Sequence, residues 1–219
     1  YLNIIWRSFQ LSFGATLLCL IFGFPVAYYI TLQPENRRNF YIYLVTIPFW
    51  TNLLIRTFAW IIILGRGGVI EAPLLATGII DDSLRMMYTD GAIAIGLTYS
   101  YLPLMVLPIY ASLEKLDFRL LDAASDLYAN RLEIMTKVVI PLCKPGIIAG
   151  CILVFIPCVG AFIAPNLLGG GKKLMLGSLV QFQFASARNW PFGGALSMLL
   201  LSVVVIALIF YARAAQHRA

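Results

Sequence analysis

The chain has 219 residues, of which 61% are apolar and only 12% charged. So little charge cannot clothe a soluble domain of this size, and most of the surface is expected to face lipid. The formal net charge of +6 does not indicate a nucleic-acid binder. The basic residues are scattered and make no aromatic-interleaved stripe that would track a phosphate backbone.

A helix crosses about 30 Å of hydrocarbon with roughly 20 apolar residues and satisfies its own backbone hydrogen bonds. Five such runs follow along the chain, at 9–32, 40–64, 91–113, 146–165 and 193–212. They predict an all-α integral membrane protein with five transmembrane helices in one transmembrane domain spanning 1–219. The carboxylates, among them Glu35, Glu71, Asp81, Asp82 and Asp90, all fall in polar connections, which is how a bilayer sorts charge. The long connections 65–90 and 166–192 are expected to be partly structured surfaces.

Orientation follows from the basic residues. With loop 33–39 in the cytoplasm, that side collects Arg37, Arg38, Lys115, Arg119, Arg131, Lys137, Lys144, Arg213 and Arg218. The other side holds Arg7, Arg66, Arg85, Lys172, Lys173 and Arg188. The N-terminus of the chain is then outside and the C-terminus cytoplasmic, which implies a further helix upstream. Trp6, Trp60 and Trp190 fall near the expected interfaces.

The first run begins a series of small buried positions. Cys19, with Cys143, Cys151 and Cys158, has no CxxC spacing and reads as a small membrane-buried side chain. In the second run Arg56 lies eight residues after Pro48 and nine before Gly65. In a straight helix that places it about 12 Å from either end, too deep for snorkelling. Such a charge marks a translocation path or a subunit interface, and Trp50 and Asn52 share its helix. The fourth run contains Pro157 and Gly160 before Pro165, as a broken helix lining a cavity would. Its Gly146 and Gly150 make a GxxxG pair suited to close helix packing.

Between the third and fourth runs, loop 114–143 is the sizeable polar piece on the cytoplasmic side. Phe118, Leu121, Ala124 and Leu127 recur at helical spacing. Asp117 is placed to cap this helix. Asn130 followed by Glu133 predicts a second start, and Pro141 its end.

The run Asp122-Ala-Ala-Ser-Asp-Leu-Tyr128, continuing to Val138-Val-Ile-Pro141, resembles the EAA loop of ABC importer permeases. The resemblance implies that Asp122, Ala123, Ala124, Leu127, Tyr128, Ala129 and Asn130 form coupling helices docked on a separate ATPase. Two residues depart from the pattern: Asp122 stands for glutamate and Tyr128 for glycine. Glycine at such a turn supplies a left-handed or closely packed backbone, so the turn is expected to differ here.

Further runs carry the resemblance along nearly the whole chain: 48–60 (Pro-Phe-Trp-Thr-Asn-Leu-Leu-Ile-Arg-Thr-Phe-Ala-Trp), Leu107-Pro-Ile-Tyr110, Pro145-Gly-Ile-Ile-Ala-Gly150, Leu167-Leu-Gly-Gly170 and Ala187-Arg-Asn-Trp-Pro-Phe192. They are similar to permeases of the spermidine/putrescine type, with a type I ABC importer fold. That implies a second permease, ATP-binding subunits, an extracytoplasmic substrate-binding protein and a cell inner membrane. It also implies no cofactor on this chain, with ATP and Mg on the partner ATPase. Ala161 and Asn166 stand in a stretch where that family commonly carries acidic residues, and both are assigned to the path. Opine-, amino-acid- or phosphonate-like solutes remain alternatives.

A membrane enzyme lacks its parts here. His217 in the tail is the single histidine, and no HExxH or paired intramembrane carboxylates occur. A channel or secondary transporter is the other alternative, although cation coupling usually calls for acids within the spans.

Overall fold

The computed structural model describes residues 2–77, 86–117, 119–171 and 173–216. Asp81, Asp82, Arg85, Phe118, Lys172, His217 and Arg218 lie outside the described residues.

All described secondary structure is helical: α1 (Leu2–Thr31), α2 (Glu35–Trp50), α3 (Leu53–Leu64), α4 (Glu71–Ala76), α5 (Asp90–Leu113), α6 (Arg119–Asp126), α7 (Arg131–Ile134), α8 (Ile140–Gly160), α9 (Ile163–Leu168), α10 (Leu176–Ala185) and α11 (Trp190–Gln216). A π-helical turn, Met135–Val139, joins α7 to α8.

Three stretches are long and apolar enough to cross a membrane: Leu2–Thr31, Asp90–Leu113 and Arg131–Gly160. The pair α2 and α3 makes a fourth if counted as one broken span, since the two are bent by 91°. The predicted run 193–212 falls in α11, whose apolar part, Trp190–Ile206, is shorter.

The second predicted span is therefore not one straight helix. Thr51 is extended, and the Asn52 side chain accepts the Leu54 N–H at 2.8 Å. This N-cap starts a new helix, just after Pro48 in the last turn of α2. The bend removes the straight-helix depth assigned to Arg56.

The core lies among α1, α5 and α8. Cys19 of α1 donates its thiol to the Thr98 carbonyl of α5 at 3.4 Å, and a Cβ at Gly23 would sit 3.1 Å from Met105 Cγ. Both contacts advance together, so α1 and α5 run parallel. The α8 pairing runs the other way: a Cβ on Gly146 would meet the Pro108 carbonyl oxygen at 2.5 Å, and one on Gly150 would meet Met105 Sδ at 2.8 Å. The GxxxG pair thus lets α8 close on the α5 backbone. Cys19, Cys143 and Cys158 are buried and Cys151 is half-buried, all as free thiols.

At the end of the bundle remote from α6, Asp90 pairs with Arg7 of α1 and with Lys173 Nζ at 3.2 Å. Asp90 also opens α5, where a carboxylate favours the helix dipole. Trp6 and Trp190 are exposed. Trp60 instead packs edge-on against Tyr99, with ring centroids 5.5 Å apart.

Candidate functional sites: a helical handle and a central cavity

The handle is built from α6 and α7. The Asp117 carboxylate accepts the Arg119 N–H at 3.0 Å and begins α6. At the far end the Tyr128 N–H donates to the Ser125 carbonyl at 2.9 Å, and the Ala129 N–H to the Ala124 carbonyl at 3.1 Å. This is a Schellman cap, and Tyr128 takes the left-handed position in it, with φ of 61°. The tyrosine therefore keeps the backbone that glycine would favour, contrary to the expectation of a different turn.

Asn130 then opens α7 with a reciprocal capping box. Its side chain accepts the Glu133 N–H at 2.9 Å, and Glu133 Oε2 accepts the Asn130 N–H at 3.1 Å. Lys137 Nζ donates to Glu133 Oε1 at 2.8 Å.

The second helix does not end at Pro141. The Ile140 N–H reaches back to the Met135 carbonyl in the π turn, which widens the ladder just before the proline, whose ring would otherwise crowd the preceding turn. Arg131–Gly160 is consequently one continuous rod.

Asp122, Ala123, Leu127, Tyr128 and Asn130 are exposed, and Ala124 and Ala129 are half-buried. The tip is apolar: Tyr128 is 97% exposed, Leu127 82% and Leu132 74%. Leu127 is exposed where Leu121 and Ala124 of the same spacing are half-buried, because it is the residue at which α6 turns.

The second site is a cavity of about 290 Å³ lined by Leu53, Leu97, Ser100, Tyr101, Pro157, Gly160, Ala161, Phe162, Ile163 and Ala164. It sits where α8 stops. Ala161 is extended, with ψ of 136°, and α9 begins at Ile163. The break predicted from Pro157 and Gly160 thus falls beside the cavity, and the C-terminal end of α8 contributes to its wall. A Cβ at Gly177 would lie 2.6 Å from the Gly160 carbonyl carbon, so α10 packs directly on the break.

Arg56 reaches this wall from the first turn of α3. It is 9% exposed. Its Nη1 donates to the Ser100 carbonyl at 3.4 Å, and its Cζ lies 5.8 Å from the Phe49 ring centroid. Its Nε has no hydrogen-bond partner among the described residues.

Of the path residues assigned from sequence, Ala161 lines the cavity, and Arg56 does not line it but reaches the carbonyl of Ser100, which does. Asn52 caps α3 one residue from Leu53. Trp50 is 87% exposed and points away from the fold. Asn166 Nδ2 donates to Gln181 Oε1 at 2.8 Å, tying α9 to α10. Sequence reasoning missed Ser100, Tyr101 and Phe162, which reach the cavity only through the packing of α5 and the α8/α9 break. Among the described residues there is no cluster of side chains able to hold a metal ion.

Residues 18–218 match the family of binding-protein-dependent transport system inner membrane components. The spermidine/putrescine transport system permease protein PotB of Escherichia coli is 43% identical over 216 residues, covering 99% of this chain and 78% of that protein. PotB of Haemophilus influenzae is 42% identical over 214 residues, covering 98% and 75%. Among solved structures, a bacterial alginate ABC transporter in complex with an alginate pentasaccharide-bound periplasmic protein has a chain that superposes with a TM-score of 0.75. It is 16% identical, with 96% of this chain and 76% of that one covered. The inward-facing MetNI methionine ABC transporter gives 0.68 at 17% identity, covering 100% and 95%. The fold is that of a type I ABC importer permease. The chain belongs to the binding-protein-dependent transport system inner membrane components, and is a membrane permease subunit of an ABC importer with no ATPase activity of its own.

Proposed function

We propose that this chain is one of two permease subunits in an ATP-driven importer of polyamines or closely similar small organic solutes. The observation that carries the solute is the 42–43% identity to spermidine/putrescine permeases along 98–99% of the chain. In this reading residues 1–219 are one transmembrane domain with five spans, the broken pair α2/α3 and α11 included. The N-terminus faces outward and the C-terminus lies in the cytoplasm, as the basic residues favour. A substrate-binding protein delivers solute on the outer side.

Loop 114–143 is the coupling handle. Its exposed apolar tip and capped helices suit a surface that buries itself in a partner, so Asp122, Ala123, Ala124, Leu127, Tyr128, Ala129 and Asn130 are assigned to docking on the ATP-binding subunit. That subunit holds ATP and Mg; this chain binds no cofactor. The translocation path is assigned to the cavity at Ala161 with Arg56 beside it, and Trp50, Asn52 and Asn166 are assigned to the same path outside the cavity.

One observation favours a second reading. Among the described residues no carboxylate lines the cavity, and a buried guanidinium stands beside it, which would also suit an opine-, amino-acid- or phosphonate-like anion.

Proteoliposomes holding the complete importer, its binding protein and ATP decide between the two. Uptake of radiolabelled putrescine or spermidine is expected; uptake of an anionic solute alone overturns the polyamine assignment. For docking, a cysteine at Ala124 is expected to form a disulfide with a cysteine in the partner ATPase cleft. Loss of that crosslink from an intact, hydrolysing complex would remove the docking assignment.

A further inference from the structure

A guanidinium carries five N–H donors, yet that of Arg56, at 9% exposure, reaches only the Ser100 carbonyl, at 3.4 Å, among the described residues. That distance is beyond the usual range for a bond to a charged group. Nε is idle, the face of the Phe49 ring lies 5.8 Å from the charge, and Tyr101 of the cavity wall is near enough to interact with it electrostatically. A carbonyl oxygen and an aromatic face are ligands that an alkyl-ammonium takes as readily as a guanidinium does.

Ser100 also lines the 290 Å³ cavity, so the residue that holds Arg56 is part of the cavity wall. Pro157, Gly160 and Ala161 bring the C-terminal end of α8 to the same space. A helix end of that polarity carries partial negative charge, within reach of its last turn. The backbone thus supplies negative character where carboxylates are missing, as broken helices in other transporters do for cations.

We propose that the Ser100 carbonyl and the Phe49 ring form a cation site bordering the cavity at Ser100, which Arg56 fills as a tethered stand-in until an alkyl-ammonium group of the solute displaces it. This rests on the amine reading of the solute. The long bond and the idle Nε leave the guanidinium little to lose on yielding. An anionic solute would act in the opposite way, engaging the unused N–H groups and holding Arg56 in place.

The test uses the complete importer in lipid nanodiscs and radiolabelled ethylammonium as the probe. Arg56→Met removes the charge and keeps a long apolar stem. Equilibrium dialysis is expected to find the probe bound at least about tenfold more tightly by Arg56→Met than by the parent, because the two ligands are vacated. Adding Phe49→Leu is expected to remove most of that gain, which a general loosening of the bundle would not do. Equal binding by parent and Arg56→Met overturns the proposal. So does ethylphosphonate binding to the parent that Arg56→Met abolishes. If Arg56→Met does not assemble, Arg56→Lys, with its shorter reach, is expected to bind the probe several-fold more tightly than the parent, and no difference overturns the site. Putrescine uptake by the parent is measured separately: its absence removes the solute assignment, while dialysis still decides the cation site.

Discussion

The Ala129 amide donates to the Ala124 carbonyl at 3.1 Å across a left-handed Tyr128. Two alanines of the handle are thereby fixed to each other by a residue type that adopts this backbone at a cost. A left-handed conformation costs a residue with a Cβ about 1–2 kcal/mol, and glycine avoids it at the expense of a more flexible unfolded chain. Tyr128→Gly is accordingly expected to stabilise the handle by about 0.5–1 kcal/mol and to keep substrate-stimulated ATP hydrolysis in the assembled importer. Tyr128→Val, branched at Cβ, is expected to fray the end of α6. Amide hydrogen exchange at 124–129 reads both.

Asn130 and Glu133 satisfy each other's backbone donors. Asn130→Ala removes one half of the box and is expected to cost about 1 kcal/mol. Faster exchange at the amides of residues 132–134, with α8 unaffected, is the measurement. Asn130→Ser is expected to restore most of the protection.

Gly146 faces the Ser112 side chain and the Pro108 carbonyl oxygen, and the latter, being backbone, has no rotamer with which to yield. With the Pro108 carbonyl oxygen 2.5 Å from any Cβ, Gly146→Val is expected to cost about 3 kcal/mol or more. Size-exclusion yield of the assembled transporter in detergent is expected to fall sharply. A normal yield and melting temperature for this variant would refute the close α5/α8 approach.

The 91° bend depends on Asn52. Asn52→Ala leaves the Leu54 amide without its acceptor and is expected to lower stability by about 1 kcal/mol, or roughly 2–4 °C in Tm. Asn52→Ser is expected to recover most of that. An unchanged melting temperature in Asn52→Ala would mean that the neighbours hold the bend without the cap.

Much of this was legible because lipid and helix chemistry leave strong marks. Apolar runs located α1, α5 and α8, and Asn130 with Glu133 announced its capping box by spacing alone. The bend at Asn52 went unread because hydropathy averages over one polar residue, although Asn after Pro48-Phe-Trp-Thr is itself a cap signal. Pro141 misled in the opposite direction: a proline ends a regular α-helix, but a π turn immediately before it lets the helix continue. The Tyr128 turn was misjudged because residue preference was weighed without the two carbonyls that hold the turn shut. The cavity was half visible. Arg56 and Ala161 stand out as a buried charge and a helix break, whereas Ser100, Tyr101 and Phe162 look like ordinary membrane residues until three helices meet.

The uninterrupted run from Arg131 to Gly160 has a mechanical meaning. Thirty residues at about 1.5 Å each make a strut of some 45 Å, with the capped tip at one end and the cavity at the other. No break in the helix separates the two, so a tilt imposed near Asn130 is carried toward the wall at Gly160 along the same lever. The strut departs from regular helix hydrogen bonding at the π turn close to the driven end and at Pro145 and Pro157 within α8, which are the positions where it can flex.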